Sequence, residues 1–230
     1  MKRIYAPTSS PEDWKQFLAE PDKQWRAGYS AMTLARSWEA AEPDLPPEVA
    51  ATLASSGDPR LYDLALVLAI PEYQVDLPGS RRPSQTDVFA LARNDLGLAA
   101  IAVEGKVDEA FGPTVGERLD GDGASQGVKT RMAYLLDTLG LPSKIPPTIR
   151  YQLLHRTVSA LLIAREFHAS TAAMLVHSFS PTGKWFEDYQ AFLELFGQKA
   201  EVNDTVKIGD FANTPLFIGW AKGNQAFRTL

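Results

Sequence analysis

Thr86-Asp87-Val88-Phe89-Ala90-Leu91-Ala92-Arg93, then Asn94-Asp95-Leu96-Gly97, then Leu98-Ala99-Ala100-Ile101-Ala102-Val103-Glu104-Gly105-Lys106: two apolar runs flank a stretch of turn residues. Apolar runs on either side of Asn, Asp and Gly read as a β-hairpin. Pairing Arg93 with Leu98 and counting outward sets Leu91 against Ala100, Phe89 against Ala102, and Asp87 against Glu104. Directly opposed strand residues hold their Cβ atoms roughly 4.5–5.5 Å apart, and alternate residues share a face, so Lys106 joins the same side. Two acids and a lysine meet at one strand end.

The rest of the hairpin is apolar on both faces, with Phe89 opposite Ala102 on one and Val88 opposite Val103 on the other. A sheet covered by layers on both sides expects this, which suits the α/β class. Burial makes the three charges costly, and opposed carboxylates repel. Something positive should sit between them: Lys106, a divalent metal, or both. Hard oxygen ligands favour Mg²⁺, with Mn²⁺ as a substitute. A divalent cation beside a lysine is suited to cutting a phosphodiester, because the metal polarises a phosphoryl oxygen and the ammonium stabilises developing negative charge. A structural salt bridge at a sheet margin is the competing reading.

Asp87, sixteen intervening residues, and then Glu104-Gly105-Lys106 on the next strand resembles the signature of the PD-(D/E)XK nuclease superfamily. Asp13-Trp14-Lys15 also fits the short pattern, but it follows a helix-start sequence, Ser10-Pro11-Glu12, and positions two apart on a helix do not face each other. The resemblance implies an α/β fold (α+β, with a mixed sheet): a restriction-endonuclease-like core in the order helix, three strands, helix, strand, with an added N-terminal helical segment and a C-terminal helix and strand. It also implies Asp87 and Glu104 as metal ligands, the Gly105 carbonyl as a further ligand, and Lys106 as the catalytic lysine. A helix acid often completes such a site, and the candidates are Glu39, Glu72 and Asp63. Many members place a polar residue of the following helix toward the site. Gln152, His155, Arg156 and Ser159 form a polar stripe at helical spacing, with Gln152 and Arg156 ahead of His155. That stripe either faces the site or faces solvent.

Around the hairpin, Arg60–Ile70 is helical in pattern and Tyr73–Leu77 is a short strand before the turn Pro78-Gly79-Ser80. Tyr29–Ala41 and Tyr151–His168 read as helices, Thr171–Ser180 as a strand, Trp185–Phe196 as a helix and Pro215–Trp220 as a last strand. Breaks at Pro43–Pro47 and Ser55–Pro59 divide a single domain, residues 1–230, into a helical N-terminal segment, 1–57, and a nuclease-like core, 58–230. Residues 59–180 carry the resemblance. Pro-Glu-Tyr-Gln-Val, Val-Glu-Gly-Lys-Val and Arg-Tyr-Gln-Leu-Leu-His-Arg are similar to a bacterial family without an assigned activity. Asp120–Gly127 mixes acids and glycines but lacks the ligand order of a calcium loop.

A chain of 230 residues, 45% hydrophobic, buries a full core without disulfides. With no cysteine, no apolar run of membrane-spanning length and no apolar stretch behind Met1-Lys2-Arg3, the expectation is a cytoplasmic protein with no membrane partner. The net charge of −5 argues against a general nucleic-acid coat protein. Local basic sites remain at Arg81-Arg82, Lys129, Arg131, Arg150 and Arg156. Weak intrinsic affinity for nucleic acid, DNA foremost, is expected, with targeting supplied by a homo-oligomer or a protein partner. The alternative is a catalytically silent, nuclease-like binding or regulatory module.

Overall fold

The computed structural model of the chain describes residues 8–79, 82–120 and 124–229. Its centre is the hairpin. Strands β1 (Ala65–Val75), β2 (Ser84–Asn94) and β3 (Gly97–Lys106) form an antiparallel meander. The β2–β3 register pairs Arg93 with Leu98, Leu91 with Ala100 and Phe89 with Ala102, as the outward count expects. Asn94 and Gly97 pair as well, which leaves Asp95 and Leu96 as the loop. The Asn94 side chain accepts the Leu96 N–H at 2.9 Å, and Gly97 takes a φ of 130°, where a side chain would be strained.

Helices α1 (Pro21–Gln24), α2 (Ser30–Ala41) and α3 (Pro47–Ala54) precede the meander. Helices α4 (Val115–Asp120), α5 (Gln126–Thr138) and α6 (Tyr151–Glu166) then carry the chain to β4 (Thr171–Ser178), which lies parallel to β3. After α7 (Phe186–Glu194) come β5 (Thr205–Phe211) and β6 (Thr214–Lys222). The six strands form one mixed sheet in the order β1-β2-β3-β4-β6-β5.

Alternation along each strand divides the core in two. Phe89, Leu91, Ala102 and Met174 meet Leu154, Val158 and Leu161 of α6. On the reverse face Val88, Ile101, Val103 and Leu175 meet Trp38 of α2 and Leu53 of α3. The result is a sheet with helices on both sides. No helix among the described residues is long and apolar enough to cross a membrane.

Four expected elements, Tyr29–Ala41, Tyr151–His168, Thr171–Ser180 and Trp185–Phe196, form to within two residues at each end. The helix expected over Arg60–Ile70 does not. Pro59–Leu61 is a short 3₁₀ turn, and the apolar run that follows is β1, of which the expected strand Tyr73–Leu77 is only the end. Leu64–Ile70 is continuously apolar, so periodicity could not separate a buried strand from a helix. Pairing with β2, from Ala65–Arg93 to Val75–Ser84, decides it. The last strand, expected at Pro215–Trp220, extends over β6. Its edge neighbour β5 escaped notice because Lys207, Gly209 and Asp210 interrupt a half-buried segment. Within Asp120–Gly127, Asp120 closes α4 and Gln126 opens α5, while residues 121–123, like Met1–Pro7, Ser80 and Arg81, lie outside the described residues.

Candidate active site

The open end of the hairpin gathers the three charged side chains on the face covered by α6. Lys106 Nζ donates to Glu104 Oε1 at 2.7 Å. The last backbone pair between β2 and β3 is Val88 with Val103, so Asp87 is not a ladder partner of Glu104. Instead its Oδ2 accepts the Gly105 N–H at 2.8 Å, a carboxylate taking the place of the next backbone acceptor. Gln152 and Arg156, four apart on α6, both face this end of the sheet. Gln152 Nε2 donates to Glu104 Oε1 at 2.6 Å, and its own Oε1 accepts from Lys106 Nζ at 3.2 Å. Arg156 Nε donates to the second Glu104 oxygen, and its guanidinium lies 3.8 Å from Asp87 Oδ1. The polar stripe of α6 therefore points into the protein. His155 and Ser159 complete it by meeting Ser84 Oγ at 2.9 and 3.0 Å, and Arg156 donates to the same hydroxyl at 3.0 Å.

Of the acids considered for completing the site, Glu72 is at the cleft and Glu39 and Asp63 are not. Glu72 sits within β1 with a φ of 54°, between the paired positions Pro71–Val88 and Tyr73–Thr86. A non-glycine residue held there costs on the order of 1 kcal/mol or more, a strain that the surrounding strand pairing sustains. Its carboxylate accepts from Gln85 Nε2 at 2.8 Å. Glu39 accepts the Trp14 indole N–H at 2.8 Å, away from the cleft. Asp63 precedes β1 at the end that pairs with Arg93, the hairpin-turn end of the sheet. No motif marks Ser84, two residues before the expected start of the strand, or Lys23, Gln24, Tyr29 and Glu109, which line the cleft. Two more of the expected basic sites, besides Arg156, are spent internally. Arg131 donates to the carbonyls of Leu77, Pro78 and Arg82, and Arg150 pairs with Asp188 at 2.7 Å.

Charge in the cleft is unbalanced. Burial alone would raise the Glu104 carboxyl, but Arg156 and Lys106 overcome it and hold it down to about 2. Asp87 goes the other way: burial and the Glu104 charge push it to about 7, against the pull of Arg156 and Lys106. Glu72 is also raised well above the ordinary range, by burial and then by Asp87. His155 is held well below its usual value by burial and by the neighbouring Arg156, so it stands neutral. Two carboxyl groups with separated proton affinities share one site, the pattern that lets one stay ionised while the other exchanges a proton near neutrality.

The trio opens on a cleft of about 420 Å³ between α6 and the N-terminal segment. Asp87 keeps 23% of its side-chain surface exposed, toward that space. Among the described residues, no three His, Cys, Asp or Glu side chains converge as a metal-holding group. The donor set nonetheless fits a Mg²⁺-class ion, which commonly takes one or two carboxylates and fills its remaining positions with water and substrate oxygens. Asp87 is an acid whose charge the nearby cations leave undercompensated, and it would be the first ligand; Glu104, whose two oxygens accept from Lys106, Gln152 and Arg156, and the Gly105 carbonyl would be the others.

Comparison with known proteins adds one positive finding. A family model described as Domain of unknown function (DUF6946) matches residues 7–225. The chain belongs to the DUF6946 family. No curated protein and no solved structure matches it. The matched span of this DUF6946 chain takes in the whole sheet and every residue of the cleft.

Gly105 of this DUF6946 chain lies between Leu34 of α2 and the Asp87 carboxylate. A Cβ at that position would lie 3.0 Å from Leu34 Cδ2 on α2 and 3.4 Å from Asp87 Oδ2. Gly105→Ala should therefore cost about 1–3 kcal/mol of stability, read as a shift in the urea midpoint, because Leu34 is fully packed and has nowhere to withdraw.

Proposed function

We propose that the chain is a metal-dependent phosphodiester hydrolase acting on nucleic acid, with a restriction-endonuclease-like core of the PD-(D/E)XK kind. One observation carries the reading: an acid pair and a lysine from adjacent strands, joined by a glutamine and an arginine of the covering helix, open on a single cleft. Helices, three antiparallel strands, helices and then a parallel strand beside the third is an order compatible with that core.

Asp87, Glu104 and the Gly105 carbonyl would hold Mg²⁺ or Mn²⁺, which when bound polarises a phosphoryl oxygen and acidifies water. The protein's own groups do the rest. Lys106 presents an ammonium to the scissile phosphate and stabilises the negative charge that develops there. Gln152 fixes both Lys106 and Glu104, so neither has to reorganise as charge builds. Arg156 and Lys106 keep Glu104 ionised, and Asp87, whose carboxyl is raised to about 7, would release its proton on taking up the ion.

The second reading, a catalytically silent binding module, is favoured by the saturation of Glu104, whose two oxygens already accept from Lys106, Gln152 and Arg156. Incubation of labelled DNA and RNA with Mg²⁺ or Mn²⁺ separates the two. Cleavage is expected, and Glu104→Gln and Lys106→Ala should each lower it by about 100-fold or more. Full activity in either variant would remove these residues from the chemistry. Absence of both cleavage and a calorimetric Mg²⁺ signal would leave the silent module.

A further inference from the structure

The wall of the cleft facing α6 comes from the N-terminal segment: Leu18, Ala19, Lys23, Gln24 and Tyr29. Tyr29 is 42% exposed at that wall. Its backbone is fixed on three sides. The Tyr29 N–H donates to the Arg26 carbonyl at 3.1 Å, its carbonyl accepts from Thr33 N–H and Oγ1 at 3.2 and 2.7 Å, and the next N–H, of Ser30, donates to Glu109 at 2.8 Å. The Arg26 guanidinium lies 5.9 Å from the ring centroid. The Tyr29 backbone is thus fixed at the mouth of the site, Arg26 covers one face of the ring, and the exposed remainder is left for a ligand; a backbone already in place lowers the ordering cost of binding.

We propose that the cleft takes a single-stranded segment of nucleic acid, with a base stacked on the Tyr29 face that Arg26 leaves open and the backbone led past Lys23, whose ammonium pairs with Glu20 at the surface, toward Lys106; this substrate class rests on the hydrolase reading above. Duplex binding draws its affinity from many cationic contacts to phosphate. This chain has a net charge of −5, and Arg131, Arg150 and Arg156 are committed to internal partners. Stacking on an aromatic face supplies sequence-tolerant affinity without a broad positive surface. Access points the same way. Glu104 and Lys106 are 2% and 5% exposed at the floor of a cleft of about 420 Å³. That is the size of a small-ligand pocket, roughly 300–1,000 Å³. A lone strand can thread a phosphate to that floor, whereas a duplex carries its second strand into the walls.

The test measures binding by fluorescence anisotropy in Ca²⁺, with a short labelled oligothymidylate and a mixed-sequence duplex of equal length, and measures cleavage of both in Mg²⁺. The single strand should bind about tenfold or more tightly than the duplex, and Tyr29→Ala should weaken single-strand binding by on the order of tenfold or more while Tyr29→Phe retains it. Tyr62→Ala is the control, since Tyr62 is a second exposed tyrosine and its carbonyl accepts from Asn94 at the hairpin-turn end of the sheet. Equal or tighter binding of duplex, no binding of either, or wild-type affinity in Tyr29→Ala would overturn the proposal. Duplex cleavage that needs Lys106 but ignores Tyr29 would keep the hydrolase and sink the strand preference. Tyr29-dependent binding of the single strand without any cleavage would sink the hydrolase and keep the strand preference.

Discussion

Arg156→Met should lower the unfolding free energy by about 3–5 kcal/mol near neutral pH, because it leaves buried carboxylates without their main counter-charge. The side chain is 8% exposed and touches Glu104, Asp87 and Ser84 at once. Methionine fills much of its volume but pairs with none of them. The loss should depend on pH in a defined direction. Glu104 is depressed to about 2 from an ordinary 4.5, so its contribution is fully present above about 4.5 and is lost as pH falls toward 2. Most of that depression comes from Arg156 and Lys106, so the difference between wild type and variant should be largest above about pH 4.5 and should shrink below it. Urea titrations at several pH values measure this. A pH-independent difference would mean that Arg156 contributes packing rather than charge. Arg156→Lys should recover part of the stability but not all, since an ammonium cannot reproduce the fork that reaches both Glu104 and Ser84.

The hairpin register was legible because the turn residues set Arg93 against Leu98 and the polar residues at the far ends agree with that count, although runs apolar on both faces leave alternation silent. From that register followed the shared face of Asp87, Glu104 and Lys106, and from helical spacing the joint approach of Gln152 and Arg156. Elements with one strong signal in the wrong register were not legible. Leu64–Ile70 is apolar throughout, so nothing local opposed a helix there, and only pairing with β2 made it a strand. That misreading moved Glu72 out of the sheet and hid its position beside Asp87. The contribution of Lys23 and Tyr29 was invisible for another reason. They reach the cleft by tertiary packing of a segment whose own pattern says only that one face is buried. Likewise Arg131 and Arg150 read as candidate phosphate contacts until their carbonyl and carboxylate partners came into view.

Asp87→Asn should do the reverse of Arg156→Met and stabilise the metal-free protein. In the folded state the Asp87 carboxyl is raised from 3.8 to about 7, so the native protein holds this proton more tightly than the unfolded chain does. Stability from this group is therefore greatest below about pH 4, falls as pH rises toward 7, and stays at its lowest above that. At 1.36 kcal/mol per pKa unit the full fall is on the order of 4 kcal/mol, and water reaching the 23% of the side chain that faces the cleft reduces it. Asparagine stays neutral while its carbonyl oxygen can still accept the Gly105 N–H. The variant should thus gain about 1–4 kcal/mol over wild type near pH 8 and nothing near pH 4, measured by urea unfolding in a chelating buffer. Millimolar Mg²⁺ should raise the wild-type midpoint at the higher pH, since an ion that binds only the native state stabilises it by mass action, and should leave Asp87→Asn unmoved. A structural salt bridge demands the opposite on both counts: loss of stability when the charge is removed, and indifference to the ion. The same two melts therefore weigh the hydrolase against the silent module without requiring that the natural substrate be known.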